Sequence, residues 1–223
     1  MLRLTLLIGF SVLFAAQARA RLPIVDHLVP WWEGFEIELR PLVEKKLLLT
    51  SANCGRMFRM YQLSDQGPIP ESVVSVYCIE VSCHVTLTRA SKSLSHLWAD
   101  RRAKGDEVAA VRAVGVFRRD AVIPQSTAHA YRDCLRAALR ATRKLSYDEI
   151  VLDNDRIEFW LIERGSSPLK AERPSNPGEN VQRLIGLGDR LSRYCEMPEA
   201  ERRAAAVQIE QEALRLQRVF ARK

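Results

Sequence analysis

Residues 73–88 (VVSVYCIEVSCHVTLT) constrain the fold more than any other stretch of this chain. They are rich in β-branched and aromatic side chains and alternate in places between apolar and polar, the pattern of a half-buried sheet. Sixteen residues exceed a usual strand, so a bulge or bend is expected near Ser82-Cys83. A sheet needs partners, and other runs supply them. Residues 47–50 and 57–63 read as short strands around the turn-like Asn53-Cys54-Gly55-Arg56. Residues 107–118 (EVAAVRAVGVFR), mostly apolar, read as a central strand. Residues 147–152 and 157–163 alternate on either side of Asp153-Asn154-Asp155-Arg156 and read as a hairpin.

Helical periodicity separates these runs. Ser91 or Ser93 caps a short helix through Ala103, with Leu94, Leu97 and Trp98 on its apolar side. From Ser126 onward, Ala128, Tyr131, Leu135, Ala138, Thr142 and Leu145 recur at steps of three and four, a core-facing stripe. Arg132, Arg136, Arg140 and Arg143 occupy the opposite face. Residues 165–179 (GSSPLKAERPSNPGE) hold three Pro, two Gly and three Ser without periodicity and read as a flexible linker. Beyond them Val181, Leu184, Leu187, Leu191 and Tyr194 mark one helix. Pro198 starts a second, with Ile209, Ala213, Leu216 and Phe220 as its narrow stripe. The expected fold is α+β: a mixed or antiparallel sheet of about five strands, packed helices and a C-terminal helical hairpin. Its parts are an α+β domain over 21–164, the linker, and the helical hairpin over 180–223.

The N-terminus carries an address. Met1-Leu2-Arg3 is a short positive start, residues 4–16 (LTLLIGFSVLFAA) are apolar and uncharged, and Ala16, Ala18 and Ala20 place small residues in A-x-A spacing twice. That order is a secretory signal over 1–20. The run is shorter than the roughly 20 apolar residues of a spanning helix, and no later segment is apolar enough to span, so the expected location is periplasmic or secreted. Retention of the segment as an anchor is the alternative. The composition, 47% hydrophobic and 27% charged, is that of a globular protein and excludes disorder.

Five cysteines follow the leader: Cys54, Cys78, Cys83, Cys134 and Cys195. An oxidising compartment favours pairing, and an odd number leaves at least one thiol over. The expected bridges are Cys54 with Cys78 or Cys83, and Cys134 with Cys195. Of the four histidines, His27, His84, His96 and His129, none has a second histidine at ligand spacing, and there is no C-x-x-C; no metal and no cofactor are expected. Cys83-His84 are adjacent, and on a strand they point to opposite faces.

Charge is uneven. Residues 86–145 hold 13 Lys/Arg against 5 acids, and residues 146–163 one Arg against six acids. The basic helix face either pairs with the acidic hairpin or meets an anionic partner. Neither G-x-S-x-G, nor a glycine-rich phosphate loop, nor a nucleic-acid motif occurs. The function expected is therefore an exported cell-envelope binding or interaction protein without catalytic activity: an adaptor, an inhibitor or immunity-type protein, or an assembly subunit. Its partner would be a protein or an anionic envelope component, not nucleic acid, met by Trp31, Trp32, Arg132, Arg136, Arg140 and Arg143. The alternative is an exported hydrolase or thiol enzyme whose site assembles from distant residues such as Cys54, His84 or Glu36/Glu38.

Overall fold

Alternation along the strands decides the architecture. The computed structural model describes residues 24–30, 39–47, 56–64, 69–144, 155–163 and 165–222. The leader, Trp31, Trp32, Glu36, Glu38, Cys54 and the strand expected at 147–152 lie outside the described residues. Among those described, seven strands form one antiparallel sheet: β1 (Val29–Pro30), β2 (Arg56–Ser64), β3 (Ser72–Ile79), β4 (Ser82–Ala90), β5 (Val116–Ile123), β6 (Asp155–Glu163) and β7 (Leu169–Glu172). Their order is β1-β7-β6-β2-β3-β4-β5. Among the described residues six helices complete the α+β fold: α1 (Leu39–Leu47), α2 (Leu94–Arg102), α3 (Glu107–Ala113), α4 (Gln125–Arg140), α5 (Glu179–Glu196) and α6 (Glu199–Phe220).

Period-2 side-chain direction sorts each strand between two faces. Phe58 and Met60, Val74 and Val76, Val85 and Leu87, and Phe159 and Leu161 point to one face, where α4, α5 and α6 lie over them. Tyr61 and Leu63, Val73, Ala90 and Trp160 point to the other, against α1, α2 and α3. The stripes read from the sequence are the ones buried: Tyr131, Leu135 and Ala138 of α4, Leu184, Leu187 and Leu191 of α5, and Ile209, Ala213 and Leu216 of α6. Full burial of each large aliphatic side chain stabilises the fold by about 1.5–3 kcal/mol. The two C-terminal helices share one core with the sheet.

Four expectations change. Residues 73–88 do not bend within one strand. Ile79 pairs with Ser82 across a two-residue turn, so the run is the hairpin β3–β4, with Glu80 left-handed at φ 53°. The strand expected at 107–118 divides. Val108 and Val111 are three apart among Ala, Glu and Arg, all good helix formers, and the segment winds as α3, burying Val111; strand alternation starts only at Val116. Leu47 ends α1 rather than opening a strand. Residues 157–163 are a strand, but β6 lies between β2 and β7 and pairs with β2 over nine residues, Arg56↔Glu163 to Ser64↔Asp155. A long ladder with both faces covered outweighs a local hairpin.

The stretch read as a linker is also partly strand. Residues 169–172 form β7 and pair with β6 and β1, and Ala171 is fully buried. Just after it, the segment around Asp26 docks on the start of α5. Val25 N donates to Asn176 O at 2.9 Å and Gly178 N to Val25 O at 2.8 Å. The Asp26 Oδ1 accepts the backbone N–H of Asn180 at 2.7 Å, so a carboxylate distant in sequence caps the helix. A Cβ on Gly178 would stand 2.7 Å from the Asp26 Cβ, which is why glycine occupies that position. Asp26→Ala should lower stability by about 1–2 kcal/mol, the usual loss of an N-terminal cap, and Asp26→Asn should retain most of it. Urea denaturation of the two variants checks this.

Candidate functional site

The basic face of α4 is where charge, cavity and helix ends coincide. Steps of four place Arg132, Arg136 and Arg140 along one side of α4, away from the buried Tyr131, Leu135 and Ala138, and Arg143 follows three residues past the last helical residue. The structure divides the four. The Arg132 Nε donates to Asp133 Oδ1 at 2.8 Å. Arg136 donates to the same oxygen at 2.8 Å and to Glu163 Oε1 on β6. This part of the basic face thus pairs with the acidic strand. Burial pushes the Asp133 carboxyl up, but the hydrogen bond from Arg132 and the charges of Arg132 and Arg136 outweigh it and hold it below the usual value. Asp133 is a fixed anion that those two share.

Arg140 and Arg143 lie at the other end. With Arg136 they line an open cleft of about 590 Å³ between the C-terminal ends of α4 and α6, floored by Ala137 and Phe220 and rimmed by Thr142 and Gln217. Three arginines against Asp133 leave the lining net positive. Part of that placement is ordinary helix chemistry, because cations at a C-terminus complement the macrodipole. Arg143 also anchors the chain through its backbone N–H, which donates to Leu28 O at 3.2 Å. Arg140 is exposed and forms no ion pair with any described residue.

The cysteines do not pair as expected. Cys78 and Cys83, directly opposite across β3–β4, are at disulfide distance, which fits an oxidising compartment. Cys134 and Cys195 are free and buried. They face different neighbours: the Cys195 thiol points at Val85 O on β4, 3.5 Å away, whereas Cys134 lies under α6 near Glu212. Burial pushes both thiols up to about 12. Among the described residues His84 meets no free thiol; its Nε2 lies 2.9 Å from Ser82 Oγ and its ring stacks on Tyr77. His129 of α4, by contrast, comes within 4.8 Å of both Cys78 and Cys83. Spacing along the chain does not announce that approach, because it depends on how α4 lies across the β3–β4 hairpin.

A second polar cluster, on the opposite face of the sheet, escapes sequence reasoning altogether. Glu158 is fully buried. It accepts from Arg40 Nη1 at 3.0 Å, Arg40 Nη2 at 2.6 Å and Trp160 Nε1 at 3.0 Å, and Arg156 Nε lies 2.9 Å away. Arg156 also reaches Glu172 at 2.7 Å. Burial raises the Glu172 carboxyl above its usual value against the pull of Arg156. Lys170 Nζ sits 3.7 Å over the Trp160 ring. A carboxylate has about four acceptor sites, and three hydrogen bonds and an ion pair use those of Glu158. The cluster ties α1 to β6 and β7. The signal in the sequence was Arg156-x-Glu158-x-Trp160, three same-face residues of β6 that alternation alone assigns to solvent.

Among the described residues no helix is long and apolar enough to cross a membrane. Comparison with protein-family models, curated proteins and solved structures finds no match for the chain.

Proposed function

We propose that this is an exported envelope protein that binds rather than catalyses, and that its partner is a protein presenting acidic side chains to the cleft at the ends of α4 and α6. The observation that carries the reading is the cleft itself: Arg136, Arg140 and Arg143 line an open 590 Å³ space beside Phe220, and of these Arg140 is exposed and forms no ion pair with any described residue. Clustered guanidiniums recognise carboxylates in bidentate fashion, and a half-apolar floor adds contact area that a solvated charge run lacks. The alternative, catalysis, finds less support: Glu158 is buried and ion-paired and the thiols of Cys134 and Cys195 are buried and protonated.

Charge reversal tests it. Binding of a poly-glutamate peptide would be measured by calorimetry at low and raised salt. Each misplaced like charge at such a contact costs at least about tenfold, so Arg140→Glu/Arg143→Glu should weaken binding by about a hundredfold or more and flatten the salt dependence. Arg102→Glu/Lys104→Glu makes the same change in net charge on exposed residues near the end of α2 and should weaken it far less. Equal losses in the two double variants would reduce the cleft to one part of a generally basic surface and sink the proposal.

A further inference from the structure

Independently of that cleft, the cross-strand cysteines and His129 form a cluster whose chemistry nothing above uses. Cys78 and Cys83 sit directly opposite one another in a hairpin that a two-residue turn already closes. A cross-link over so short a loop removes little freedom from the unfolded chain, since that effect grows with loop length. Stability is therefore a weak reason for this bridge. The hairpin itself is held by eight paired positions, Ser72↔Arg89 to Ile79↔Ser82, and by β2 and β5 on its two sides. Opening the sulfur–sulfur bond leaves the two side chains facing each other on a rigid support. The third donor comes from another element: His129, in the second turn of α4, brings a ring nitrogen within 4.8 Å of both sulfurs. Cys83 is buried, while Cys78 and His129 are half-buried and reachable from solvent.

We propose that Cys78, Cys83 and His129 are a redox-gated site for one thiophilic divalent cation, zinc by preference. The spacing Cys78-x4-Cys83 is within the range of zinc-binding cysteine pairs, and two thiolates with one imidazole are a known catalytic-type donor set that leaves the fourth tetrahedral position to water or to a ligand. In the oxidised state the sulfurs are bonded to each other and offer no thiolate. A dithiol reductant transfers two electrons and two protons to the bridge, giving two thiols and its own disulfide. Cation binding then releases the two thiol protons, and the two thiolate charges cancel the charge of the ion. A disulfide oxidant takes the two electrons back, leaves with two protons as a pair of thiols, reforms the Cys78–Cys83 bond and expels the metal. His129 makes the set selective: the imidazole supplies the borderline ligand that the hairpin alone lacks.

The test uses the chain with Cys54→Ser, so that the only thiols outside the site are the buried Cys134 and Cys195. Cobalt(II) is titrated anaerobically into reduced and into disulfide-bonded protein, followed by its thiolate charge-transfer absorption and by displacement with zinc. Reduced protein should bind one equivalent with sulfur ligation, and the same protein with its bridge intact should bind at least a hundredfold more weakly. His129→Ala should weaken the reduced form at least tenfold, with far-UV circular dichroism unchanged. The oxidised Cys54→Ser protein is the negative control that cannot be dismissed as misfolded, since only the bridge differs. Three results overturn the proposal: reduced protein that keeps its fold and shows no charge-transfer band, reduced protein that loses its fold, or affinity indifferent to the bridge or to His129.

Discussion

Glu158→Ala should destabilise the fold by about 3–5 kcal/mol, the range for removing one partner of a buried ion pair. The size follows from what the substitution leaves behind. Arg40 and Arg156 each keep a guanidinium whose side chain is only 13% exposed, and Trp160 keeps an indole N–H whose acceptor is gone. Taking away the anion does not restore water to those cations, so their desolvation is felt in full. Glu158→Gln keeps the shape and part of the hydrogen bonding, and its loss should be smaller. Replacing Arg40 and Glu158 together by apolar residues of similar volume should recover much of the loss, because a buried pair and its apolar substitute are often close in energy. Chemical denaturation with an unchanged m-value is the appropriate measure. A loss under about 1 kcal/mol, the range of solvent-exposed pairs, would mean that water reaches Glu158 and that the cluster is not sealed.

The second large effect concerns the two unpaired thiols. Cys134 and Cys195 are pushed up from an ordinary 9.0 to about 12, first by burial. Since the thiolate is the nucleophile, three pH units lower its fraction at neutral pH by about a thousandfold. Native protein treated with iodoacetamide should leave both residues unmodified, and denatured, unreduced protein should take up label on each. Mass spectrometry of the digested chain reads this directly, and failure to label either one after denaturation would mean that they are bridged. The same shift carries a pH dependence. A folded-state value above the unfolded one means that the native state holds its proton longer, so this contribution is complete below about pH 9 and declines as pH rises toward 12. Tyr61, also raised to about 12 by burial, acts in the same direction. Alkaline titration of the unfolding free energy should fall across that window.

Both effects arise at places where local sequence patterns mislead. In Arg156-x-Glu158-x-Trp160 the charged residues look solvent-facing, and they would be if β6 were half of an exposed hairpin. The nine-residue ladder with β2 instead puts them beneath α1, next to Arg40, which is 118 residues from Glu158. Cys134 and Cys195 look like partners because both lie on helices that cover one face of the sheet. Which way each thiol points depends on the roll of its helix, and the Cys195 thiol turns to the β4 backbone rather than to Cys134. The arginine face of α4 was legible, but not that Arg136 reaches Glu163 of β6 or that Arg136, Arg140 and Arg143 line a cleft beside Phe220 of α6.

What the amino-acid order determined by itself was everything that repeats over a few residues. Steps of three and four set the buried stripes of α4, α5 and α6, and the alternation of 73–88 made that run two interior strands of the sheet. Both follow from side-chain direction relative to the local backbone. The two-residue turn at Glu80-Val81 was not legible, because no glycine or asparagine marks it and Glu80 itself takes the left-handed conformation. Tertiary structure alone decided which strand neighbours which, where Cys134 and Cys195 lie relative to each other, and which charges are sealed from water. These depend on pairings tens to more than a hundred residues apart, chosen by the total apolar area they bury. The Cys78–Cys83–His129 cluster joins the two kinds of information: a hairpin sets the cysteines face to face, and only the packing of α4 across it brings the histidine.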